Sequence, residues 1–260
     1  MPVLDMVCRD ERITRVTLVE PDDYKPHNVY RHLFPAAAVG RPKGELARGW
    51  LRERRPDLDV RVLPCDLTDP LQQGAIGEAV EEADLGVCAA DNEAAKYHFD
   101  QLMRRHARPW TLGEVLSGGI GGFVHRFVPG GPCYGCVASR LQRSAKVEAA
   151  PPAPDYSAPG GPVQETTVPA SRAAIAAIAS LHALLTLELI EPTADALGMS
   201  LTLLWSLQRV PGVFEEAFHP YRFRIARAAG CLICQAQPTP ATAEDLDVAL
   251  DQALSRLGDA

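Results

Sequence analysis

Twice in this chain an apolar, strand-like run stops on a carboxylate. Ile13 to Val19 ends at Glu20, which is followed by Pro21, Asp22 and Asp23, and Leu85 to Ala90 ends at Asp91, followed by Asn92. A buried parallel strand has this look when it delivers an acid to its C-terminal edge. Two such ends on one sheet edge mark the crevice in which α/β folds bind ligands. Helix-like segments separate the runs. Pro42 to Arg55 places Leu46, Trp50 and Leu51 on one face and turns Arg48, Arg52 and Arg54 outward, and Pro56 stops it. Leu58 to Leu63 reads as the next strand, Asp69-Pro70 as the start of a second helix, and Asn92 to His106 as a third. Strand and helix alternating at this pace predict an α/β fold with a Rossmann-like, mostly parallel sheet. A chain of 260 residues is expected to form it as a single domain spanning 1–260.

Later segments change character. Pro109 to Val115 and Gly119 to Val128 read as a strand and the outer arm of an antiparallel hairpin, with His125 at the surface, so the parallel sheet is extended by antiparallel strands. Ala170 to Ile190 is a buried helix, with Ala173, Ala177 and Leu181 suited to close packing. Leu201 to Leu207 and Phe214 to Ile225 supply the last strands. Arg143 to Pro169 is rich in Ala, Pro and Gly and reads as a long loop. Residues 242–257 form an amphipathic acidic helix with Leu246, Leu250 and Leu254 on one face.

Charge and cysteine usage limit the function classes. A formal net charge of -7 argues against nucleic-acid or anionic-membrane binding, because a phosphate-backbone binder presents an excess of cations. No run of apolar residues is long enough to cross a membrane. Four of the seven cysteines form two Cys-x-x-Cys pairs, Cys133/Cys136 and Cys231/Cys234. Without a secretory signal this favours a reduced, cytoplasmic setting and one structural zinc held by four thiolates. Free buried thiols and a redox pair are the alternatives, although neither pair opens a βαβ unit.

Between the first strand end and the next helix lie Asn28 and Arg31, then Pro42-Lys43. With Glu20-x-Asp22, Asp91-Asn92 and the paired cysteines, this set resembles the ThiF/MoeB/HesA family of ubiquitin-activating-enzyme-like adenylyltransferases, over about Thr14 to Gln235. The resemblance implies ATP-dependent adenylation of the C-terminal glycine of a ubiquitin-like or sulfur-carrier protein, by a homodimer or a heterodimer with a related chain. It assigns Glu20, with Asp22, to the ribose, Asn28 and Arg31 to the phosphates, Lys43 to the phosphate charge during attack, and Asp91, beside Asn92, to Mg2+. Arg31, Lys43 and Asp91 are thus the expected catalytic residues. Glu20 is one methylene longer than the aspartate usual in the family, and His32 stands where a glutamine is frequent.

The family's first strand and its glycine-rich phosphate loop have no counterpart before Val3, Leu4, Val7 and Cys8, which resemble the back half of the following helix. The segment 143–169 corresponds to a loop that crosses the substrate tail, and here it carries no cysteine. A chain with these features is expected to bind ATP weakly by itself, because backbone N–H groups at a helix N-terminus normally receive the phosphates. The rival expectation is a non-catalytic ThiF-like subunit that binds a ubiquitin-like protein or an active partner chain. A nicotinamide-dependent dehydrogenase is a poor third reading, since the sequence has no dinucleotide glycine fingerprint.

Overall fold

A computed structural model describes residues 1–144, 169–191 and 200–235. Helix α1 (Pro2–Val7) leads into β1 (Arg15–Val19), and a loop closed by two short 3-10 turns leads to α2 (Lys43–Arg54). Then follow β2 (Asp59–Leu63), α3 (Gln73–Glu82), β3 (Gly86–Cys88), α4 (Glu93–Arg105), β4 (Trp110–Val115), β5 (Gly121–Phe127) and α5 (Tyr134–Ser144). Helix α6 (Arg172–Leu187) and strands β6 (Leu201–Ser206) and β7 (Pro220–Phe223) complete the described elements.

The α/β alternation and the antiparallel extension are as expected, but the described strands fall into two sheets rather than one mostly parallel sheet. Strands β1 and β2 pair in parallel as a sheet of two, and a second sheet runs β3-β4-β5-β6-β7. In that second sheet only β3 and β4 are parallel. Connection length decides this. Helix α4 carries the chain back from β3 to β4, as a parallel pair requires, whereas β4 and β5 are joined by a short turn that allows only an antiparallel return. Gly118 and Gly119, both at positive φ, make that turn at no steric cost.

Helix α1 lies against both sheets. Leu4 and Cys8 pack with Trp50 and Leu51 of α2 and with Val16, Leu18 and Val60 of β1 and β2. Val3, Met6 and Val7 pack with Ala179, Ala183 and Leu187 of α6 and with Val87 of β3. Arg55 fixes the exit from α1, donating to the carbonyls of Cys8, Asp10 and Ile13. On α2, Gly44 rides against β2, and a Cβ there would come 2.6 Å from Val62 Cγ1.

Four sequence expectations are corrected by the structure. Helix α3 begins at Gln73 rather than at Asp69-Pro70, because Asp66 and Asp69 accept hydrogen bonds from the backbone N–H groups of Thr68 and Leu71 and hold that stretch in turns. His125 is 1% exposed instead of superficial: β5 lies between β4 and β6, and His125 stacks between Phe123 and Phe127. The buried stripe of α6 is Ala174, Ile178 and Leu185, while Ala173 is exposed. The last strand covers only Pro220–Phe223 of the expected 214–225. The loop expected over 143–169, its ends apart, and the helix expected over 242–257 lie outside the described residues.

The principal core joins β3, β4 and β5 to α4 and α5 through Met103, Trp110, Leu112, Phe127, Tyr134 and Val137, with Trp110 and Phe127 stacked at 4.1 Å. Leu112 is 0% exposed. Replacing it by Ala is expected to destabilise the chain by about 2–5 kcal/mol, read as a lower urea midpoint with an unchanged slope.

Candidate functional site

The loop from Glu20 to Pro42 is folded on its own aromatic core. Tyr24 is 1% exposed, donates its hydroxyl to Phe34 O at 2.7 Å, and meets His32 and Phe34 edge to face. Backbone bonds Tyr24 N–H to Arg41 O and Gly40 N–H to Tyr24 O, each 2.8 Å, close the loop at its base. This brings Lys43, at the start of α2, back to the end of β1, where its Nζ meets Asp22 Oδ2 at 2.7 Å. Glu20 accepts from the Asp22 backbone N–H at 3.0 Å. The hydrogen bond from Lys43 holds the Asp22 carboxyl below the usual range.

Burial, together with positive charges that include Lys43 and Arg31, pushes His32 down to about 4, so its ring is neutral at physiological pH. Asn28 is buried, but its Oδ1 accepts the Lys25 backbone N–H at 2.9 Å, so that oxygen has a structural task within the loop. Arg172 at the start of α6 donates to His32 O and fastens the loop to the helix.

Asp91 and Asn92 stand at the end of β3, on the other sheet. Asn92 is the N-cap of α4, its Oδ1 accepting from Ala95 N–H at 2.7 Å. Asp91 is exposed, and among the described residues it makes no hydrogen bond or ion pair with the loop. The structure thus groups Glu20, Asp22 and Lys43 near one strand end, keeps Arg31 in the loop between them, and leaves Asp91 and Asn92 at another strand end.

One site residue went unread in the sequence. Glu114 is the penultimate residue of β4, and it meets Lys96 of α4 and His125 of β5. Burial works against charge on Glu114, yet the hydrogen bonds from His125 and Lys96 leave its pKa lowered.

The two cysteine pairs do come together. Sulfur separations are 3.7 Å for Cys133 and Cys136, 3.5 Å for Cys133 and Cys231, and 3.5 Å for Cys136 and Cys234, and the four sulfurs all lie within 4.8 Å of one another. A tetrahedral ion with bonds of about 2.3 Å would separate its sulfurs by roughly 3.8 Å, so the set fits a metal. The two Cys-x-x-Cys segments pack closely at Gly135, where a Cβ would come 2.8 Å from Ile233. Burial opposes a thiolate at Cys234, but hydrogen bonds from Arg227, Cys136 and Arg104 bring it to about 6. Asp100 of α4, 0% exposed, accepts the Tyr134 N–H at 3.1 Å and so caps α5 between the first two cysteines.

The model of the ThiF family matches residues 12–208. Among solved structures, E. coli MccB with ATP is similar at 17% identity and a TM-score of 0.62, covering 90% of this chain and 63% of that one. The microcin C7 biosynthetic enzyme MccB in complex with N-formylated MccA is similar at 16% identity and a TM-score of 0.59, covering 90% and 70%. PaaA is similar at 14% identity and a TM-score of 0.55, covering 82% and 57%. This chain therefore spans 63% of the length of E. coli MccB. No curated protein matches the sequence.

The capping geometry separates the two residues at the end of β3. Asn92→Ala is expected to cost about 0.5–2 kcal/mol of stability, and Asp91→Ala to stay within about 0.5 kcal/mol of the parent, both measured by chemical denaturation.

Proposed function

The chain belongs to the ThiF family, and from that premise we propose that it promotes ATP-dependent adenylation of the C-terminal glycine carboxylate of a ubiquitin-like or sulfur-carrier protein. The observation that carries this reading is the placement of Lys43 at the end of β1, where its ammonium meets Asp22 beside Glu20. A cation and carboxylates at the C-terminal edge of a parallel strand suit the phosphates and ribose of a nucleotide. E. coli MccB, which has a similar fold, has been solved with ATP.

In this reaction a carboxylate oxygen attacks the α-phosphorus, and the bond to pyrophosphate breaks. No nucleophile from the protein is required, so catalysis rests on positioning and on neutralising charge. Glu20 and Asp22 face the ribose, Arg31 and the amide of Asn28 bind phosphate oxygens, and Lys43 releases Asp22 to meet the charge that develops during attack. Asp91 would hold Mg2+, which shields the phosphate oxygens when bound. The four cysteines hold a structural zinc, a closed set with no open position for chemistry. The protein acts as a homodimer or with a related chain, on a carrier that presents its C-terminal tail.

A second reading, a ThiF-like subunit that binds a carrier or an active partner without catalysis, is favoured by two contacts. Lys43 is already paired with Asp22, and the Asn28 oxygen is already engaged. Carrier-dependent exchange of pyrophosphate into ATP separates the readings. Arg31→Ala and Lys43→Ala are each expected to slow it at least tenfold, since one well-placed donor to a charged transition state is worth roughly 2.7–4 kcal/mol. Exchange at the parent rate in both variants rules out this phosphate site, and a folded parent with no exchange favours the second reading.

Metal analysis of reduced protein is expected to give one zinc per chain, falling to background when Cys133 and Cys234 are both replaced by Ser. Well under one zinc in the parent contradicts the assignment.

A further inference from the structure

A buried charge cluster lies beside Asp91 and is not used by the adenylation reading. Lys96, on the first turn of α4, is 5% exposed. Its ammonium donates to Glu93 Oε1 at 2.7 Å and, through a short contact, to Glu114 Oε1 on β4. The other Glu93 oxygen accepts from the Tyr134 hydroxyl at 2.8 Å. The other Glu114 oxygen meets His125 Nε2 at 3.3 Å, and His125 Nδ1 meets Thr202 Oγ1 at 3.1 Å. One polar chain therefore runs from β6 through β5, β4 and α4 to α5, with Lys96 at its centre. Burial opposes the ammonium, but the hydrogen bonds to Glu114 and Glu93 outweigh it and raise the Lys96 pKa, so the charge persists at neutral pH.

The placement gives this cluster its consequence. Cys88 pairs with Leu112 in the parallel register of β3 and β4, so Glu114, two residues on, comes level with Ala90, the residue before Asp91. Asp91, Glu93 and Glu114 thus put three carboxylates at one end of the β3–β4 pair, and Lys96 is the cation seated between two of them. Such an edge, left uncompensated, repels a polyphosphate and offers oxygens to a bare divalent cation.

We propose that Lys96 is the positioning and charge-balancing residue of this acidic edge: it clamps the first turn of α4 to β4, fixing Asp91 at the end of β3, and it occupies the place between Glu93 and Glu114 that a bare divalent cation would otherwise take. Assigning the edge to a metal-bound nucleotide rests on the adenylation reading. The cation-excluding role does not.

The test measures Mn2+ binding by electron paramagnetic resonance and MgATP binding by calorimetry, for the full chain and its variants. Lys96→Met is expected to tighten Mn2+ binding about tenfold and to weaken MgATP binding by a similar factor, as one lost charge at short range implies. Lys96→Arg and the double variant Lys96→Met/Glu114→Gln, each of which rebalances the edge, are expected to return both constants to within about twofold of the parent. A purely structural lysine would leave Mn2+ binding unchanged in a folded Lys96→Met protein, and that result overturns the proposal. So does a double variant that behaves like Lys96→Met. If the parent binds no MgATP the adenylation reading fails, and the Mn2+ measurements still decide the role of Lys96. Should Lys96→Met not fold, Lys96→Gln serves: it removes the charge but keeps a hydrogen-bond donor to the carboxylates and is expected to tighten Mn2+ about tenfold, and unchanged binding again overturns the proposal.

Discussion

The packing of α1 is the constraint on which the rest of this architecture depends. The helix has only six residues, yet opposite sides of it are buried on two different sheets, Leu4 and Cys8 towards α2, β1 and β2, and Val3, Met6 and Val7 towards α6 and β3. Because β1 and β3 are not hydrogen-bonded to each other, the spacing of their C-terminal ends is set by side-chain packing on this helix rather than by a backbone ladder. Packed interiors transmit small displacements, so a change in volume under α1 shifts the end of β1 relative to the end of β3. Arg55, by gathering three carbonyls from the exit of α1, ties that packing to the start of β1.

Helix α4 carries a second coupling along its length. Asn92 caps its first turn, Lys96 joins it to β4, and Asp100 caps α5 between Cys133 and Cys136. The end of β3 and the cysteine cluster are thus braced by one rigid element. A four-thiolate metal in that cluster has no catalytic position to offer, but it fastens the far end of the helix whose near end bears Asp91 and Asn92.

Much of this was legible in the sequence because it was local. Strands ending on Glu20 and Asp91, the helix after Pro42, and the two Cys-x-x-Cys pairs each announce themselves within a few residues, and the structure contains all of them. The failures are matters of register and of competition between neighbours. The antiparallel return of β4 into β5 was legible from the short glycine turn, but whether His125 is buried depends on which strands flank β5. Likewise Asp66 and Asp69 hold their own backbone in turns and delay α3. The pairing of Lys96 with Glu114, 18 residues away, follows only from the β3–β4 register. Glu114 lies inside its strand, before Val115, so the signal that marked Glu20 and Asp91 did not mark it.

The central claim is that a carboxylate, not water, attacks the α-phosphate of ATP. The most direct test labels the terminal carboxylate of a glycine-ended carrier with 18O, supplies ATP, Mg2+ and the chain, traps the product with hydroxylamine, and examines the released AMP by mass spectrometry. The carboxylate oxygen that forms the mixed anhydride leaves with AMP when the trap attacks the acyl carbon. Carboxyl adenylation therefore predicts one 18O atom in AMP and a hydroxamate on the carrier. Unlabelled AMP, or ATP left intact by a folded chain given a carrier that it binds, would contradict the account.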